Sequence, residues 1–335
     1  MSSSGSVDFS VSRDDIILAA LQDLGVAAGV DTASSASFTA NSTAMAIKLN
    51  MIVKLWSGQA DFSPGIKMWS RKRGYLFLCG AQSVYTVGPT TTATGTTNKF
   101  ASSYVTTTLG AAEAAGQTDL TVASITGISN ADRLGVELDS GIMHWSTVNG
   151  APSGTTVASA AALATAAASG NRVFTYAPTT AQGRRPLTIL EAYLRDSDSN
   201  DIPLAKMSLE EYEAIPSKIV DADPTRYYYE ATLTDGTIYL DTEPSDITKV
   251  IRLVYLSPIE DFDAAANTPD YDQNWYLPLV LGLEEQCAMM FGRADLLPSI
   301  RMLLYGNDKT LGALTIARNA NPETSTAYYQ PDAPL

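Results

Sequence analysis

The chain has little of the residue chemistry on which catalytic and metal sites depend. Its 335 residues include two cysteines and one histidine, His144. Because Cys79 and Cys287 lie far apart and form no CxxC pair, neither a disulfide framework nor a zinc knuckle is indicated. A catalytic triad that uses histidine has only one candidate imidazole in this chain, and we interpret His144 as an ordinary strand residue. The phosphate-binding and nucleophile motifs GxxxxGK[ST], GxGxxG and GxSxG are also missing, so we predict a non-enzymatic protein without cofactor or metal.

Charge is scarce as well, and most of it is negative. Charged residues make up 17% of the chain, below the usual ~25%. The 22 Lys and Arg against 36 Asp and Glu give a formal net charge of -14. An acidic chain repels a phosphate backbone, which disfavours specific binding of nucleic acid but would let DNA slide past. So few charges suggest that much of the surface faces other subunits.

Long hydrophobic runs and targeting signals are also lacking. No apolar run approaches the ~18 residues of a membrane span, and residues 1–10 have neither the basic nor the apolar region of a signal peptide. We therefore expect no membrane partner, and synthesis in a cytosol-like compartment.

Residues 1–60 predict an antiparallel helical pair. Ser12 and Asp15 have the spacing of a capping box, and Gly25 is the stop signal of the first helix. The second helix has two candidate N-cap residues and an apolar stripe that ends at Gly58; these residues are Asn41 or Ser42, then Met45, Leu49, Ile52 and Trp56.

The middle of the chain predicts β structure of two kinds. In residues 61–89, β-type runs at 75–78 and 84–87 indicate a hairpin. Residues 90–184 predict a small inserted β-domain, since eight of residues 90–180 are charged while strand-like runs recur between glycines. Its strands are predicted at 120–122, 134–138, 142–148 and 173–176, with 158–169 as the loosest or helical part.

Residues 185–273 predict an acidic, mixed β region. Between Arg195 and Trp275 there are 18 Asp and Glu but six Lys and Arg. A strand is expected at 186–194, and Ser208 with Glu211 forms a capping box that opens a short helix. Strands at 227–233, 237–241 and 250–256 indicate a meander around the Asp235–Gly236 turn.

Residues 274–318 return to helix. The segment 275–291 is apolar on most of its circumference, and a second helix is predicted over 296–318 with Pro298 in its first turn. The tail, residues 319–335, is polar and contains proline. An aromatic pair in such a segment commonly anchors a partner, so the partner-binding candidates are Tyr328, Tyr329, Gln330 and Pro331; a disordered terminus is the alternative.

Four further clusters have an ordinary explanation beside a functional one. Residues 196–201 resemble the start of a calcium loop but lack its Gly and its final Glu, which favours a hairpin turn. Lys67 to Arg73 is a basic cluster around Trp69, interpreted as a solvated turn. Glu284 and Glu285 are adjacent and do not converge, so a partly exposed helix edge explains them. Residues 227–229 are three tyrosines in a strand, whose outer rings could contact a partner.

The predicted fold class is α+β, with a helical bundle formed by N- and C-terminal helices and one or more inserted antiparallel β-rich domains. Several segments resemble the head-to-tail adaptor proteins of short-tailed bacteriophages, also called tail accessory or packaged-DNA stabilisation proteins. Residues 15–26 resemble the family's first helix, 46–56 its second and 275–292 its third. The Arg-Pro-Leu run at 185–187 and the helix segment at 209–212 resemble features of its larger members.

The resemblance implies a structural virion protein at the head-tail interface, assembled in the host cytoplasm. Its partners would be further copies of itself in a ring, usually of twelve, the portal protein, a downstream nozzle or hub, and passing DNA without specific binding. A closed ring of identical subunits suits a charge-poor chain.

Two other function classes remain open at this stage. One is another virion or surface β protein, such as a fibre, decoration or carbohydrate-binding module, which aromatic surface strands would favour. The other is a cell-wall hydrolase acting through paired carboxylates between Glu210 and Asp223. The helical pairs at both ends argue against the first alternative, and the lack of catalytic motifs argues against the second.

Overall fold

The computed structural model describes residues 9–58, 70–89, 99–180, 184–270 and 272–320. Within these ranges the protein is a mixed α+β structure with six α-helices and several antiparallel sheets, which confirms the predicted class at this level. The chain divides into two compact units. The segments before Arg71 and after Pro258 form the helical unit, and Arg71–Pro258 forms the β unit.

The six helices are α1 (Arg13–Asp23), α2 (Ala36–Gly58), α3 (Leu209–Glu213), α4 (Tyr276–Cys287), α5 (Leu297–Tyr305) and α6 (Ala313–Ala320). Both predicted capping boxes are confirmed. The Ser12 hydroxyl accepts from the Asp15 N–H at the start of α1, and the Ser208 hydroxyl accepts from the Glu211 N–H at the start of α3. In each case the N3 carboxylate accepts from the N-cap N–H in return, so two of the helix's open donors are satisfied.

Three helix predictions differ from the structure in their boundaries. The helix predicted over 275–291 is α4, which ends at Cys287. The α2 helix begins at Ala36, so Asn41 and Ser42 lie inside it, and the Asn41 amide donates to the Ser37 carbonyl one turn earlier. The helix predicted over 296–318 is two helices, because Gly306 takes a left-handed φ of 83° that ends α5. A short β-hairpin, in which Gly306 and Asn307 pair with Leu311 and Thr310, then separates α5 from α6.

The helical unit has one hydrophobic core, to which helices from both of its chain segments contribute. Leu279 and Leu283 of α4 are fully buried in the same cluster as Leu21 of α1 and Leu49 of α2. The rings of Trp56 and Trp275 lie 6.2 Å apart within it. Since α4 contacts α1, α2, α5 and α6, the predicted helix with apolar residues on most sides is confirmed as the most enclosed one.

Among its described residues, the β unit contains three main sheets and a small ribbon. The five-stranded sheet has the order β11 (Asp201–Pro203), β10 (Thr188–Arg195), β15 (Val250–Leu256), β1 (Arg71–Phe77) and β3 (Lys99–Ala101). The second has the order β12 (Ala205–Lys206), β13 (Arg226–Ala231), β14 (Gly236–Leu240) and β2 (Val84–Val87). The third has the order β4 (Val105–Thr108), β9 (Arg172–Tyr176), β6 (Arg133–Glu137) and β7 (Met143–Thr147), and β5 (Asp119–Thr121) pairs with β8 (Thr156–Ala158).

Two predicted strand pairings are wrong. The runs at 75–78 and 84–87 do not form a hairpin, because β1 pairs with β15 and β3 while β2 pairs with β14 in another sheet. The predicted meander holds for β13 and β14, but its third strand, β15, lies in the five-stranded sheet between β10 and β1. Local turn signals thus identified the strands and missed the long-range partners.

The inserted segment is confirmed as β structure at all four predicted runs. Residues 158–169 are not helical; they carry single bridges, such as that between Glu113 and Ala167, and bury Leu163. Phe77 of β1 lies against the inserted sheet in an aromatic cluster. Its ring stacks on Tyr176 at 5.5 Å and lies 5.2 Å from both Trp145 and Phe174.

Candidate interaction surfaces

The α2 helix carries apolar side chains on two opposite faces. Its inner stripe, with Met45, Leu49 and Val53, is fully buried in the helical core. Ile47, Met51 and Leu55 follow at the same four-residue spacing but are 54%, 64% and 53% exposed. Because a surface helix normally presents polar residues outward, this second stripe marks a surface for contact with something outside the unit.

The outer stripe of α2 lines a groove of about 810 Å³, whose far side is formed by Asp261 and Asp263. We call this the α2 groove. Two side chains of α2 hold the segment after residue 258 in place: Asn50 accepts from the Phe262 N–H at 2.8 Å, and the Lys54 ammonium donates to the Ile259 carbonyl at 2.5 Å. Lys54 also pairs with Asp261 at 2.8 Å. Contacts within the unit therefore fix the segment after residue 258 against α2, and these two parts form the groove.

A second set of exposed apolar side chains lies on the C-terminal helices and on the hairpin between them. We call it the α5–α6 surface; its side chains, each about half exposed or more, are Met302, Leu303, Tyr305, Leu311 and Ile316. The opposite side of these helices is buried through Ile300, Leu304 and Ala317. The basic side chains of this segment are those of Arg301, Lys309 and Arg318, against one acidic residue, Asp308.

A buried carboxyl lies in the helical core, where the sequence predicted a partly exposed helix edge. Glu284 of α4 is 4% exposed, and one of its oxygens, Oε1, has no hydrogen-bond partner among the described residues. Burial raises its pKa to about 8, helped by the charge of Asp23 on α1 and a hydrogen bond between the two carboxyls. That prediction was wrong for Glu284, since periodicity alone does not reveal a polar residue on a buried face.

Its neighbour Glu285 does lie at the edge of α4 and has partners there. The Arg301 guanidinium donates to Glu285 Oε1 at 2.7 Å, and the Tyr305 hydroxyl donates to Oε2 at 2.8 Å. These bonds join α4 to α5 and fix the orientation of the α5–α6 surface. The two glutamates point to different surroundings, as their adjacent positions predicted.

The other candidates from the sequence have structural surroundings. His144 is a residue of β7 opposite Val136, as predicted. Residues 196–201 form the turn between β10 and β11, in which the Asp196 N–H donates to the Asn200 carbonyl. Asp201 is 21% exposed and has two cationic partners, because Arg195 donates to it at 2.7 Å and Arg252 also pairs with it.

The basic and aromatic clusters also differ from simple turns. Arg71, Lys72 and Arg73 belong to β1 rather than to a turn before it, while Lys67 and Trp69 lie outside the described residues. On β13 the ring of Tyr228 stacks on Tyr239 at 5.6 Å. Tyr228 is thus covered by its own chain, and the partner contact predicted for these tyrosines remains a prediction.

The predicted partner-binding residues Tyr328, Tyr329, Gln330 and Pro331 lie outside the described residues. Between Glu210 and Asp223, the Glu211 carboxylate accepts from the Ser208 N–H as part of the helix cap. Within the described ranges no group of three or more His, Cys, Asp and Glu is placed to hold a metal ion. No helix in these ranges combines the length and hydrophobicity of a membrane span.

Comparison with known proteins returned no match to a family model or to a curated protein. The functional interpretation therefore depends on the two exposed apolar surfaces and on the charge distribution of this chain.

Proposed function

We propose that this chain is a structural subunit that assembles into a closed ring and acts as a head-to-tail adaptor of a short-tailed bacteriophage. In this proposal helices from both ends of the chain form one bundle, and the β unit is inserted between them. The ring would join the portal protein to a downstream tail component, in the virion, without catalytic activity. The observation that carries the proposal is the pair of separate exposed apolar surfaces on the helical unit.

Two different surfaces are what a cyclic ring requires. A ring subunit contacts one neighbour through one surface and the other neighbour through a second, whereas a two-fold dimer uses one surface twice. Exposed apolar patches on soluble proteins commonly mark such contacts. The α2 groove and the α5–α6 surface have different composition and would serve as the two sides.

The charge distribution supports the second part of the proposal, passage of DNA. Residues 195–275 contain 18 acidic and six basic residues. Acidic side chains along a channel repel the phosphate backbone and prevent it from adhering to the wall. We expect that replacing exposed acidic residues of this region with Lys slows DNA ejection from virions, measured by dye release; unchanged ejection kinetics would remove the support for this role.

The experiment that tests the ring is native mass spectrometry of the purified chain together with negative-stain images. We expect closed rings of about twelve subunits, the number that the resemblance to adaptor proteins implies, because a heterologous interface gives a ring when its rotation closes. The same sample with added portal protein should show the ring attached to one end of the portal. A trimeric rod, or a monomer both alone and with portal, contradicts the proposal.

A further inference from the structure

We propose that the α2 groove of one copy receives the α5–α6 surface of the next copy, so that neighbouring subunits associate head to tail through these two surfaces. The inference rests on the proposed ring and names the residues that close it. Three observations support a second copy of this chain as the occupant: the fit in length, the fit in charge, and the rigidity of both surfaces.

The dimensions of the two surfaces match. The stripe from Ile47 to Leu55 covers nine residues of helix, and the eight rises between them span about 12 Å at 1.5 Å per residue. The α5 helix, Leu297–Tyr305, has nine residues and the same approximate length. An apolar helix surface lying along an apolar groove is a recurrent mode of recognition, in which residues one turn apart supply the anchors. Met302 and Tyr305 are 49% and 51% exposed at such a spacing.

The charges of the two surfaces are opposite. The groove is lined by two carboxylates, Asp261 and Asp263, both exposed, against one cation, Lys54, which is paired with Asp261. The segment of the α5–α6 surface carries Arg301, Lys309 and Arg318 against Asp308, so its net charge is positive. Complementary charge of this kind speeds the encounter and fixes the orientation of the partners, and it disfavours pairing of either surface with itself.

Both surfaces are already ordered before they meet, so neither has to become ordered when the contact forms. The groove wall is held by Asn50 and Lys54, and α5 is fixed to α4 through the Arg301 and Tyr305 bonds to Glu285. A surface that is organised before binding loses less conformational freedom on association. The helical unit thus has two ordered surfaces of different composition, the α2 groove and the α5–α6 surface, rather than one surface that pairs with itself.

The experiment uses charge reversal on the full-length chain. Variant G carries Asp263→Lys in the groove, and variant H carries Lys309→Glu on the α5–α6 surface. Each is analysed by native mass spectrometry and light scattering at the concentration at which the wild-type chain assembles. We expect each variant alone to lose at least about tenfold in assembled fraction, since like charges then face each other across the contact.

Mixing the two variants gives the decisive result. In an equimolar mixture, the reversed groove of G meets the reversed surface of H, and the unchanged groove of H meets the unchanged surface of G. We therefore expect mixed oligomers in which G and H alternate, with wild-type mass. Recovery on mixing also shows that each variant is folded. A matched control, Asp198→Lys on an exposed residue of the β unit, should assemble as the wild type does.

The outcomes separate this inference from the proposed function. If the wild-type chain forms rings that neither variant disturbs, the head-to-tail pairing is wrong and the ring stands. If G alone is impaired and H assembles normally, the groove has another occupant, and the pairing is again wrong. A wild-type chain that stays monomeric, alone and with portal, overturns the ring itself.

Discussion

The helical unit and the β unit bury their apolar side chains to different extents. Thirteen of the 22 large apolar side chains that are exposed within the described ranges belong to the helical unit, although fewer of its residues are described. In the β unit most of the buried apolar side chains lie in three clusters made of residues of that unit. Single exposed apolar residues are ordinary, but two surfaces of several such residues on one unit are not.

The difference indicates a division of roles. The β unit obtains its stability from its own sheets, as the rings around Phe77 illustrate. The helical unit leaves one stripe of α2 and the outer side of α5 and α6 uncovered. We therefore expect changes inside the β unit to affect its own stability, and changes on the helical surfaces to affect assembly.

The largest effect should come from emptying the aromatic cluster of the β unit. Phe77 is 2% exposed, and Phe77→Ala removes a ring that four other aromatic side chains contact. We expect the free energy of unfolding to fall by about 3–5 kcal/mol. Hydrogen exchange followed by mass spectrometry should show faster exchange in peptides from β1, β9 and β15, and little change in peptides from α1 and α4.

The control for Phe77→Ala is Leu233→Ala in the same unit. Leu233 is 96% exposed, so its removal should change stability by no more than about 0.5 kcal/mol. Equal loss of protection in α1 and α4 with Phe77→Ala would mean that the two units unfold as one, and the comparison between them would lose its basis.

The next effect concerns assembly. Met51 is in the middle of the α2 groove and 64% exposed, so Met51→Asp should leave the monomer folded and weaken each subunit contact by about 2 kcal/mol, or roughly thirtyfold. Sedimentation velocity measures the change. Leu233→Asp places the same carboxylate on an exposed apolar residue of the β unit and should leave assembly unchanged. Equal effects of the two substitutions would contradict the special role of the helical surfaces.

A smaller effect concerns the buried carboxyl of the helical unit. The folded-state pKa of Glu284, about 8, lies above the ordinary value of 4.5. Between these pH values the folded chain holds a proton that the unfolded chain has lost, so this group lowers stability as the pH rises from about 4.5 to 8. Glu284→Gln should remove this dependence and raise the free energy of unfolding at pH 8 by about 1–2 kcal/mol, with little change at pH 5.

Urea unfolding at pH 5, 6.5 and 8 tests the Glu284 prediction, with Glu285→Gln as the matched control. Glu285 has its carboxylate at the edge of α4, bonded to Arg301 and Tyr305, and its replacement should cost no more than about 1 kcal/mol at every pH. A stabilisation by Glu284→Gln that does not vary with pH would show that the proton on this carboxyl is not its cause.

The smallest effect should be the same in both units. The Ser12 and Ser208 capping boxes have the same geometry, with hydroxyl to N–H distances of 3.2 Å in each. Ser12→Ala and Ser208→Ala should each lower the free energy of unfolding by about 1 kcal/mol. Chemical denaturation of the two variants provides the measurement. A clear inequality would show that one unit tolerates helix fraying better than the other.

The features that sequence predicted well are those encoded within a few residues. The two capping boxes, the β13–β14 hairpin around Asp235 and the short strands of the inserted segment all depend on local patterns. The end of α5 at Gly306 was missed, because the apolar spacing continues through a residue whose φ is positive. The start of α2 at Ala36 was missed because Asn41 and Ser42 look like N-caps but lie inside the helix.

The features that sequence could not predict depend on residues far apart in the chain. Nothing near Tyr75 or Val84 indicates that their strands join different sheets, since the partners are β15 and β14. The burial of Glu284 is decided by the packing of α1 against α4. The α2 groove is the intermediate case: the outer stripe of Ile47, Met51 and Leu55 is readable from helical spacing, but its exposure is not.

The pairing of β1 with β15 has a consequence for folding of the chain during its synthesis on the ribosome. Arg71 pairs with Leu256, and the core that receives α1 and α2 also requires α4, which starts at Tyr276. Sequence-distant contacts of this kind form slowly, because the loop between them must close first. The N-terminal helices therefore lack their packing partner, and their apolar stripes stay exposed, until most of the chain has been translated. We therefore expect nascent chains of this protein to bind chaperones that shield apolar helices.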